Sequence, residues 1–328
     1  MYREVVVECM DGSESEDDSS NHSLDISIRR ARISDVDGIV SVYSSSIDYL
    51  DVESRDWIES IVRRRSRRAR IYVAIGDGSV LGFIVVYKKR SRAYIDAFAV
   101  DPRYRGRGIG QHLLNYVEKV LATEGVERVY LTVKNHNSRA LGIYIRNGYR
   151  ISNIVLILEA SSGDIDSSMD RLDSVAVKID SIKRSVFPKV RLLDTAIWSN
   201  YTWDVDDAIY RASTEEAIAI TVYRGRRLVG VARISINQNR IVVERLALSF
   251  YKPTESLKMA INAIKMRLVQ QSDKIIAIPV DSTKSSLLRT LISMGFKVVD
   301  SEYVLYKDLL ENIDNEIQQE QEMVAVHR

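Results

Sequence analysis

The sequence predicts an α/β (α+β) fold of two successive domains, each a mixed, mostly antiparallel sheet flanked by helices. Two observations predict the first domain: a glycine-rich turn leads from a strand into a helix at residues 94–121, and a second strand–helix unit follows at residues 131–149. A third predicts the second domain, because a similar order of strands and helices returns at residues 217–306. The chain of 328 residues is long enough for two separate cores.

The glycine-rich turn lies in the stretch YIDAFAVDPRYRGRGIGQ, residues 94–111. Its first half alternates as a β-strand does, and Gly106, Gly108 and Gly110 stand just before a helical pattern. The apolar side of that helix is predicted to be Ile109, Leu113, Leu114, Val117, Val120 and Leu121. Because a helix N-terminus presents backbone N–H groups and partial positive charge, the pattern predicts a phosphate-binding turn.

Two common nucleotide-binding motifs do not fit this turn. A dinucleotide fingerprint needs G-x-G-x-x-G, but Gly110 is followed by Gln111 and hairpin strands precede the turn. A P-loop needs a Lys-Ser/Thr pair that the turn lacks. The residues instead resemble the R/Q-x-x-G-x-G/A signature of the GCN5-related N-acetyltransferase (GNAT) family, with Arg103, Gly106 and Gly108 at its fixed positions.

A second motif of the same family is LTVKNHNSRALGIYIRNGY, residues 131–149. A strand leads to a helix that Asn137 caps and Gly148 ends, and Tyr144 precedes Gly148-Tyr149 at the family's spacing. A buried helical tyrosine with a C-cap glycine would give the same local pattern. The two motifs in order and in register favour the family reading, in which this helix forms the other wall of a coenzyme cleft.

Composition and pattern predict five segments. Residues 1–24 contain the acidic, serine-rich run DGSESEDDSSNHS and are predicted to be a disordered leader. Residues 25–160 are predicted to be the acetyltransferase domain, with the family's order of strand, two helices, three strands, helix, strand, helix and two strands. Residues 161–188 are interpreted as a linker with an amphipathic helix, 189–308 as a degenerate second domain and 309–328 as a polar tail.

The second domain is predicted to be non-catalytic. When Gly295 is set against Gly148, Leu291 stands where Tyr144 does. The segment Tyr251–Ser256, without a glycine, stands where the first copy has its turn.

The resemblance implies direct transfer of an acetyl group from acetyl-coenzyme A, as co-substrate, to a primary amine, without a metal. The coenzyme-binding residues that it implies are Phe98, Ala99, Val100, Arg105, Gly106, Arg107, Gly108, Ile109, Gly110 and Asn137. Asn137 is equally well explained as a helix cap. A non-catalytic module that binds acetyl-coenzyme A for regulation or interaction is the alternative, although the complete turn and Tyr144 favour catalysis.

Two proton transfers are expected in such a reaction. Asp96, four residues before Val100 on the strand that enters the cleft, is the candidate base for the amine, with Glu53 and Glu59 as alternatives. The alternative interpretation of Asp96 is an ordinary strand aspartate that is exposed or hydrogen-bonded and has no catalytic role. Tyr144 is the candidate proton donor to the departing thiolate.

Composition restricts the partners. With 47 basic and 45 acidic residues the chain gives no global argument for nucleic acid or membrane, and Cys9 alone supports no disulfide framework. Without a signal peptide or membrane span, a cytoplasmic protein is expected, either a monomer with pseudo-dimeric tandem domains or a homodimer. The acceptor is left open among a protein or peptide N-terminus, a lysine and a small amine.

An arginine run between the second helix and the next strand supports three interpretations. Its members are Arg63, Arg64, Arg65, Arg67, Arg68 and Arg70. It is a solvated face, a steering surface for acidic acceptors beside the cleft entrance, or a site for the acidic leader. A nucleic-acid site is disfavoured because the run has no interleaved aromatic residues.

Overall fold

The structure, a computed structural model, describes residues 5–7, 25–46, 54–166, 175–183, 216–237, 239–249, 251–269 and 274–309. These residues divide into two compact units. The first is built from the chain up to Leu131 together with the residues from Tyr306 onward, and the second from Thr132–Leu305. No helix in the described part of the chain is long and apolar enough to cross a membrane.

The first unit contains a sheet that is antiparallel except for its last step. Strands β1 to β5 neighbour one another in chain order, and β6 then pairs with β5 in parallel. The elements are β1 (Val5–Val7), β2 (Ile26–Arg30), α1 (Val36–Ser44), α2 (Arg55–Arg64), β3 (Ala69–Gly76), β4 (Ser79–Lys89), β5 (Arg92–Val100), α3 (Ile109–Thr123) and β6 (Arg128–Lys134).

Helix α3 packs on this sheet through the stripe that the sequence predicts. Its buried apolar residues are Ile109, Leu113, Leu114, Val117, Val120 and Leu121. Ring stacking between Tyr43 of α1 and Phe83 of β4, with centroids 5.5 Å apart, joins α1 to the same sheet. The core of the first unit therefore fixes the direction in which α3 leaves the glycine turn.

The second unit repeats this architecture. Its strand order is β7-β12-β11-β10-β9-β8, again antiparallel except for one parallel step, here between β11 and β12. The elements are α4 (Ser138–Arg146), β7 (Arg150–Ser161), β8 (Val175–Lys183), β9 (Glu216–Arg224), β10 (Arg227–Asn237), β11 (Arg240–Leu248), α5 (Pro253–Leu268), β12 (Ile275–Asp281), α6 (Ser285–Ser293) and β13 (Lys297–Asp308).

Local contacts support the internal repeat. The N–H of Asp101 donates to Leu81 after β5, and the N–H of Ser249 donates to Val229 after β11, each at 2.8 Å. Leu291 of α6 is fully buried in the core of the second unit. An aliphatic side chain at the position of Tyr144 thus fills space and offers no hydroxyl.

The closing strands do not stay with their own sequence copy. Strand β7 ends the first copy but pairs with β12 in the second unit, from Val155–Asp281 to Ser161–Ile275. The end of β13 belongs to the first unit, where Lys307 forms an ion pair with Glu118 at 2.6 Å. The N–H of Leu309 donates to the Glu127 carbonyl at 2.8 Å. The predicted boundaries 25–160 and 189–308 follow the sequence copies and stay a prediction.

Three local expectations were wrong. Val175–Lys183 is a strand paired with β9, not part of an amphipathic helix, because the β-branched residues Val175, Val177 and Ile179 alternate with Ala176 and Lys178. Only one strand, β7, follows α4 among residues 147–166.

Val5–Val7 also pairs with β2, whereas residues 1–24 were expected to be disordered. The rest of that leader, and the tail beyond residue 309, lie outside the described residues.

The ion pair between Lys307 and Glu118 should stabilise the first unit, because the two side chains are only 11% and 8% exposed. We expect Lys307→Ala to lower the free energy of unfolding by about 3 kcal/mol, since it strands a buried carboxylate. Urea denaturation measures this.

The control is Lys178→Ala, whose ion pair with Asp180 has side chains 67% and 41% exposed. It should cost less than about 1 kcal/mol. Equal costs for the two variants would show that β13 does not stabilise the first unit through this pair.

Candidate functional site

The candidate site is the turn between β5 and α3, residues 101–108. Asp101 begins it and is buried: its carboxylate accepts the Arg103 N–H at 2.9 Å and pairs with the Arg103 guanidinium at 2.7 Å. The hydrogen bond from Arg103 lowers the pKa of Asp101. The carboxylate therefore stays ionised and holds the short helical turn Pro102–Tyr104 against the end of β5.

Gly106 and Gly108 give the turn its shape. Their φ values are +87° and +75°, in the left-handed region that L side chains rarely adopt. A Cβ on Gly106 would meet nothing within 4 Å, and one on Gly108 would meet only the His112 ring, at 3.5 Å. Glycine is therefore needed at these two positions for the positive φ angles, and the space beside the turn is open.

Helix α3 begins directly after this turn. Gly108 is its N-cap and offers no side-chain cap, and the first intrahelical bond runs from the His112 N–H to the Gly108 carbonyl at 3.0 Å. The first turn of any helix has N–H groups without intrahelical acceptors, and the helix dipole makes that end positive. Together with the open space, this arrangement suits a phosphate group.

Gly110 has a packing role. A Cβ there would lie 3.2 Å from the Phe98 ring and 3.5 Å from a Val100 methyl group, so glycine lets α3 approach β5 closely. Ile109 is buried in the core. Of these predicted coenzyme-binding residues, Phe98, Ile109 and Gly110 thus use their side chains or Cα for packing, and only backbone atoms are left for a ligand.

The three arginines of the turn differ in their contacts. Arg105 folds back: its guanidinium donates to the Val100 carbonyl at 2.9 Å and to the Ser46 hydroxyl at 3.0 Å. Arg107 is exposed and lies 5.6 Å from the Tyr104 ring centroid. Among the described residues no acidic partner of Arg107 is recorded, so its charge faces solvent at the turn.

Strand β5 leaves its parallel neighbour before it reaches the turn. Its ladder with β6 covers Arg92–Ile95 opposite Arg128–Leu131, and β5 then continues to Val100. Asp96 is the extra residue of a β-bulge, because Val86 pairs with Ile95 and Val85 with Ala97. Bulges re-aim side chains and are frequent beside active sites. The predicted base therefore stands where β5 separates from β6.

Two of the predicted residues belong to the second unit. Tyr144 is 6% exposed on α4 and packs edge-on against Tyr149, with centroids 5.5 Å apart. Burial raises the pKa of Tyr144, so its hydroxyl stays protonated at ordinary pH. The Asn137 side chain accepts the Ala140 N–H at 3.1 Å, which gives it the capping role that the sequence left open.

The remaining candidates are less suited or not described. Glu59 pairs with Arg63 on α2 at 2.6 Å, one turn along the helix. Glu53 lies outside the described residues.

The arginine run is not beside the glycine turn. Ala69, at the start of β3, pairs with Tyr87, which pairs with Tyr94, whereas the turn follows Val100. At roughly 3.3 Å per residue, Tyr94 and Val100 are about 20 Å apart. Antiparallel pairing therefore carries the run to the other end of the sheet from the glycine turn, and its place beside the acceptor entrance stays a prediction.

Three further residues of the site were not predicted from the sequence. Ser46 anchors Arg105 across 59 positions, and no local signal points to it. Tyr104 lies between two arginines of the motif. Gly82 is an isolated glycine in a strand, which signals close backbone approach, and a Cβ there would lie 2.9 Å from the Ala99 carbonyl.

Comparison with known proteins identifies the first domain. The sequence profile of the acetyltransferase (GNAT) family matches residues 39–149, which extend from α1 to Tyr149. The peptidyl-lysine N-acetyltransferase YjaB of Escherichia coli is 28% identical over 132 residues, which are 39% of this chain and 84% of that protein. The spermidine N(1)-acetyltransferase of Thermoplasma acidophilum is 26% identical over 147 residues, or 40% and 91%.

Solved structures resemble nearly the whole chain. A tandem GNAT protein from the clavulanic acid biosynthesis pathway has a TM-score of 0.64 at 11% identity, covering 87% of this chain and 98% of its own. A putative acetyltransferase from Pyrococcus horikoshii has a TM-score of 0.58 at 16% identity, covering 91% and 93%. At these identities the likeness concerns the fold, and it confirms the predicted tandem architecture.

Substitutions in the turn should separate ligand binding from stability. We expect Gly106→Ala and Gly108→Ala to weaken coenzyme A binding at least tenfold, because a side chain at these φ values distorts the N–H groups at the end of α3. Titration calorimetry should find one site in the wild-type chain.

Gly125→Ala is the matched control, since Gly125 has φ +76° and open space around a Cβ but lies beyond the other end of α3. It should cost similar stability and leave binding intact. Equal loss of binding in all three variants would mean that the turn is not the ligand site.

Proposed function

Because residues 39–149 belong to the GNAT acetyltransferase family, we propose that this protein transfers an acetyl group from acetyl-coenzyme A to a primary amine. The glycine turn carries the proposal, since two residues at positive φ open the N-terminus of α3 beside free space. Acetyl-coenzyme A would supply the acetyl thioester, and its pyrophosphate is the kind of anion that such a helix end binds. The residues present therefore fit this co-substrate.

The turn would hold the coenzyme mainly through its backbone. The N–H groups of residues 106–110 would bind the pyrophosphate, and the solvent-facing charge of Arg107 would add attraction. Arg105 would act indirectly, because its hydrogen bonds to Val100 and Ser46 tie the turn to β5 and to the end of α1.

The last residues of β5 would receive the extended arm of the coenzyme. The parallel ladder with β6 stops at Ile95–Leu131, and main-chain groups from Phe98 to Val100 continue beyond it. An extended chain can add to such a strand as a further strand does. Holding the thioester beside the acceptor raises the effective concentration of the two reactants.

Asp96 is the proposed base. A primary ammonium group has no lone pair, so one proton must leave the amine nitrogen before it can attack a carbonyl carbon. The carboxylate of Asp96 would take that proton, and its place on the bulge aims it differently from the regular residues of β5. Glu59 is less suited, because its carboxylate already holds Arg63.

Tyr144 is the proposed donor to the leaving sulfur. Burial keeps its phenol protonated, and the raised pKa makes it a weaker acid than a thiol with its ordinary pKa of about 8.5. Its first action would therefore be a hydrogen bond from its hydroxyl to the sulfur as negative charge develops there. This role is inferred from the register of Tyr144 with Gly148-Tyr149.

The second copy is proposed to be non-catalytic. The connection between β11 and α5, residues 249–252, is half as long as residues 101–108 and contains no glycine. Lys252 takes the positive φ before the helix, at +53°, and pairs with Glu255 at 2.8 Å. Glu255 thus already places a negative charge at this helix N-terminus.

A coenzyme-A-release assay tests the function. The relatives act on peptidyl-lysine and on spermidine by name, so the acceptors should include a lysine peptide, a peptide with a free N-terminus and spermidine. Release that depends on an acceptor supports the proposal. Stoichiometric coenzyme binding without release for any amine would instead favour the non-catalytic binding module.

Asp96→Asn should lower kcat/KM more for an acceptor amine of high pKa than for one of low pKa. A lysine amine has a pKa of about 10.4 and an α-amino group one of about 8, so near neutral pH only the second is partly deprotonated without help. We expect a loss of about 10²–10⁴ with a lysine peptide and a smaller loss with an α-amino acceptor. Equal losses with both acceptors would remove Asp96 as the base.

Tyr144→Phe should separate binding from turnover. The change removes one hydroxyl and little volume, so coenzyme affinity should persist while kcat falls by about 10²–10⁴. Single-turnover kinetics with saturating coenzyme measure the chemical step directly. Tyr149→Phe is the control, because it removes the hydroxyl of the neighbouring ring in the same pair. An unchanged chemical step in the Tyr144 variant would exclude the role.

A further inference from the structure

Two basic segments meet at the end of the first unit that lies opposite the glycine turn. The first is residues 63–68, RRRSRR, which are the last two residues of α2 and the loop before β3. The second is residues 88–92, KKRSR, around the turn between β4 and β5. The N–H of Lys88 donates to the Arg68 carbonyl at 2.7 Å, so the segments are in direct contact. We call them together the basic end.

The basic end carries an excess of positive charge. Arg65, Arg67, Arg68 and Arg90 are exposed, and no acidic partner of these four is recorded within the described part of the chain. Arg30 joins them, since its guanidinium donates to the Ser66 carbonyl at 2.8 Å. Burial lowers the pKa of Arg30, and the charges of Arg70 and Arg65 lower it further.

The described carboxylates near the basic end do not neutralise the exposed arginines. Glu59 pairs with Arg63, and Glu124 is drawn inward by Arg70 and Lys88 at 2.6 Å and 3.0 Å. Glu127 is exposed and borders the β4–β5 turn, where its N–H donates to the Ser91 carbonyl at 2.8 Å. Among the described residues, positive charge therefore exceeds negative charge at this end, although the net charge of the chain is near zero.

Two of these arginines have a positive φ, which is unfavourable for a residue with a side chain. Arg65 ends α2 at φ +44°, where helices commonly have glycine, and Arg90 stands in a two-residue hairpin turn at φ +56°, where glycine, asparagine or aspartate is usual. A left-handed conformation costs an L side chain free energy that glycine avoids. Local stability alone would therefore favour glycine at both positions.

We propose that the basic end binds the phosphate backbone of a nucleic acid, independently of sequence. Seven of its nine cations are arginines, whose planar guanidinium groups match phosphate oxygens in pairs. Neither segment contains an aromatic residue, which is why the sequence alone disfavoured a nucleic-acid site. That absence argues against base stacking but not against contact with phosphate, which needs only the charged groups.

Neighbouring residues argue against a membrane surface. The apolar residues that border the two segments, Val62, Ala69, Tyr87 and Ala93, are all buried, so nothing apolar is presented for insertion into lipid. Two described residues flank the acidic run DGSESEDDSSNHS: Val7 and Ile26, which pair with each other. Ser27 pairs with Ile75, near the end of β3 that lies away from the basic end.

Fluorescence anisotropy of the full chain with a labelled single-stranded RNA and a labelled DNA duplex, both of mixed sequence, tests the proposal. Binding should weaken steeply between about 50 and 200 mM salt, because each neutralised phosphate releases counterions. Arg65→Gly with Arg90→Gly should weaken binding at least tenfold and reduce the logarithmic salt slope by about 1.4 for the single strand. The unfolding midpoint of this variant should be unchanged or higher.

Two controls separate position from charge. Asp77→Gly relieves a similar backbone position, at φ +50°, in the β3–β4 turn at the opposite end of the sheet, and should not weaken binding. Arg267→Ala with Arg289→Ala removes two exposed arginines from the second unit and should preserve binding. If this pair weakens binding as much as the Arg65 and Arg90 pair does, only net charge matters and the assigned surface is wrong.

Competing probes decide the class of partner. Polyglutamate or anionic phosphatidylserine vesicles that bind more tightly than either nucleic acid, with the same loss in the Arg65 and Arg90 variant, would overturn the proposal in favour of an acidic protein or a membrane. Absence of nucleic-acid binding at about 50 mM salt would overturn it outright.

Discussion

The parallel pairing of β5 with β6 stops after Ile95–Leu131, and the first unit is arranged around that stop. Parallel neighbours share a direction, so β5, which leaves β6 early, continues to Val100 beyond the parallel ladder. The bulge at Asp96 coincides with the separation. Beyond the bulge, β5 ends at Val100 and the turn begins at Asp101. Arg105 ties the turn to the Val100 carbonyl, and α3 begins directly after Gly108.

The residues of the glycine turn have separate structural roles. Gly106 and Gly108 satisfy positive φ angles, Gly110 permits close packing against Phe98, and Arg105 anchors the turn to Ser46. Arg103 and Arg107 are both exposed, but Arg103 pairs with Asp101, whereas no acidic partner of Arg107 is found among the described residues. Neighbouring residues of the turn therefore differ in role, because some fix its backbone or its packing and Arg107 faces solvent.

Much of the first unit follows from local pattern. The apolar stripe of α3, the alternation of β5 and the glycine motif were sufficient to place β5, the turn and α3. Local pattern failed at Val175–Val177, where three- and four-residue spacing coexists with alternation and pairing with β9 decides the outcome. It also could not predict the bulge, which depends on the register of β4, or the partners of β7 and β13, which are distant in sequence.

The exchanged closing strands also affect when the first unit is complete during synthesis. Leu131 marks the end of its N-terminal part, but Lys307 and Leu309 must be added before the contacts with Glu118 and Glu127 can form. At about 5–20 residues per second, a ribosome needs roughly 10–35 s to translate the intervening residues. For that interval Glu118 and Glu127 are already synthesised, but the residues of β13 and its end that contact them are not.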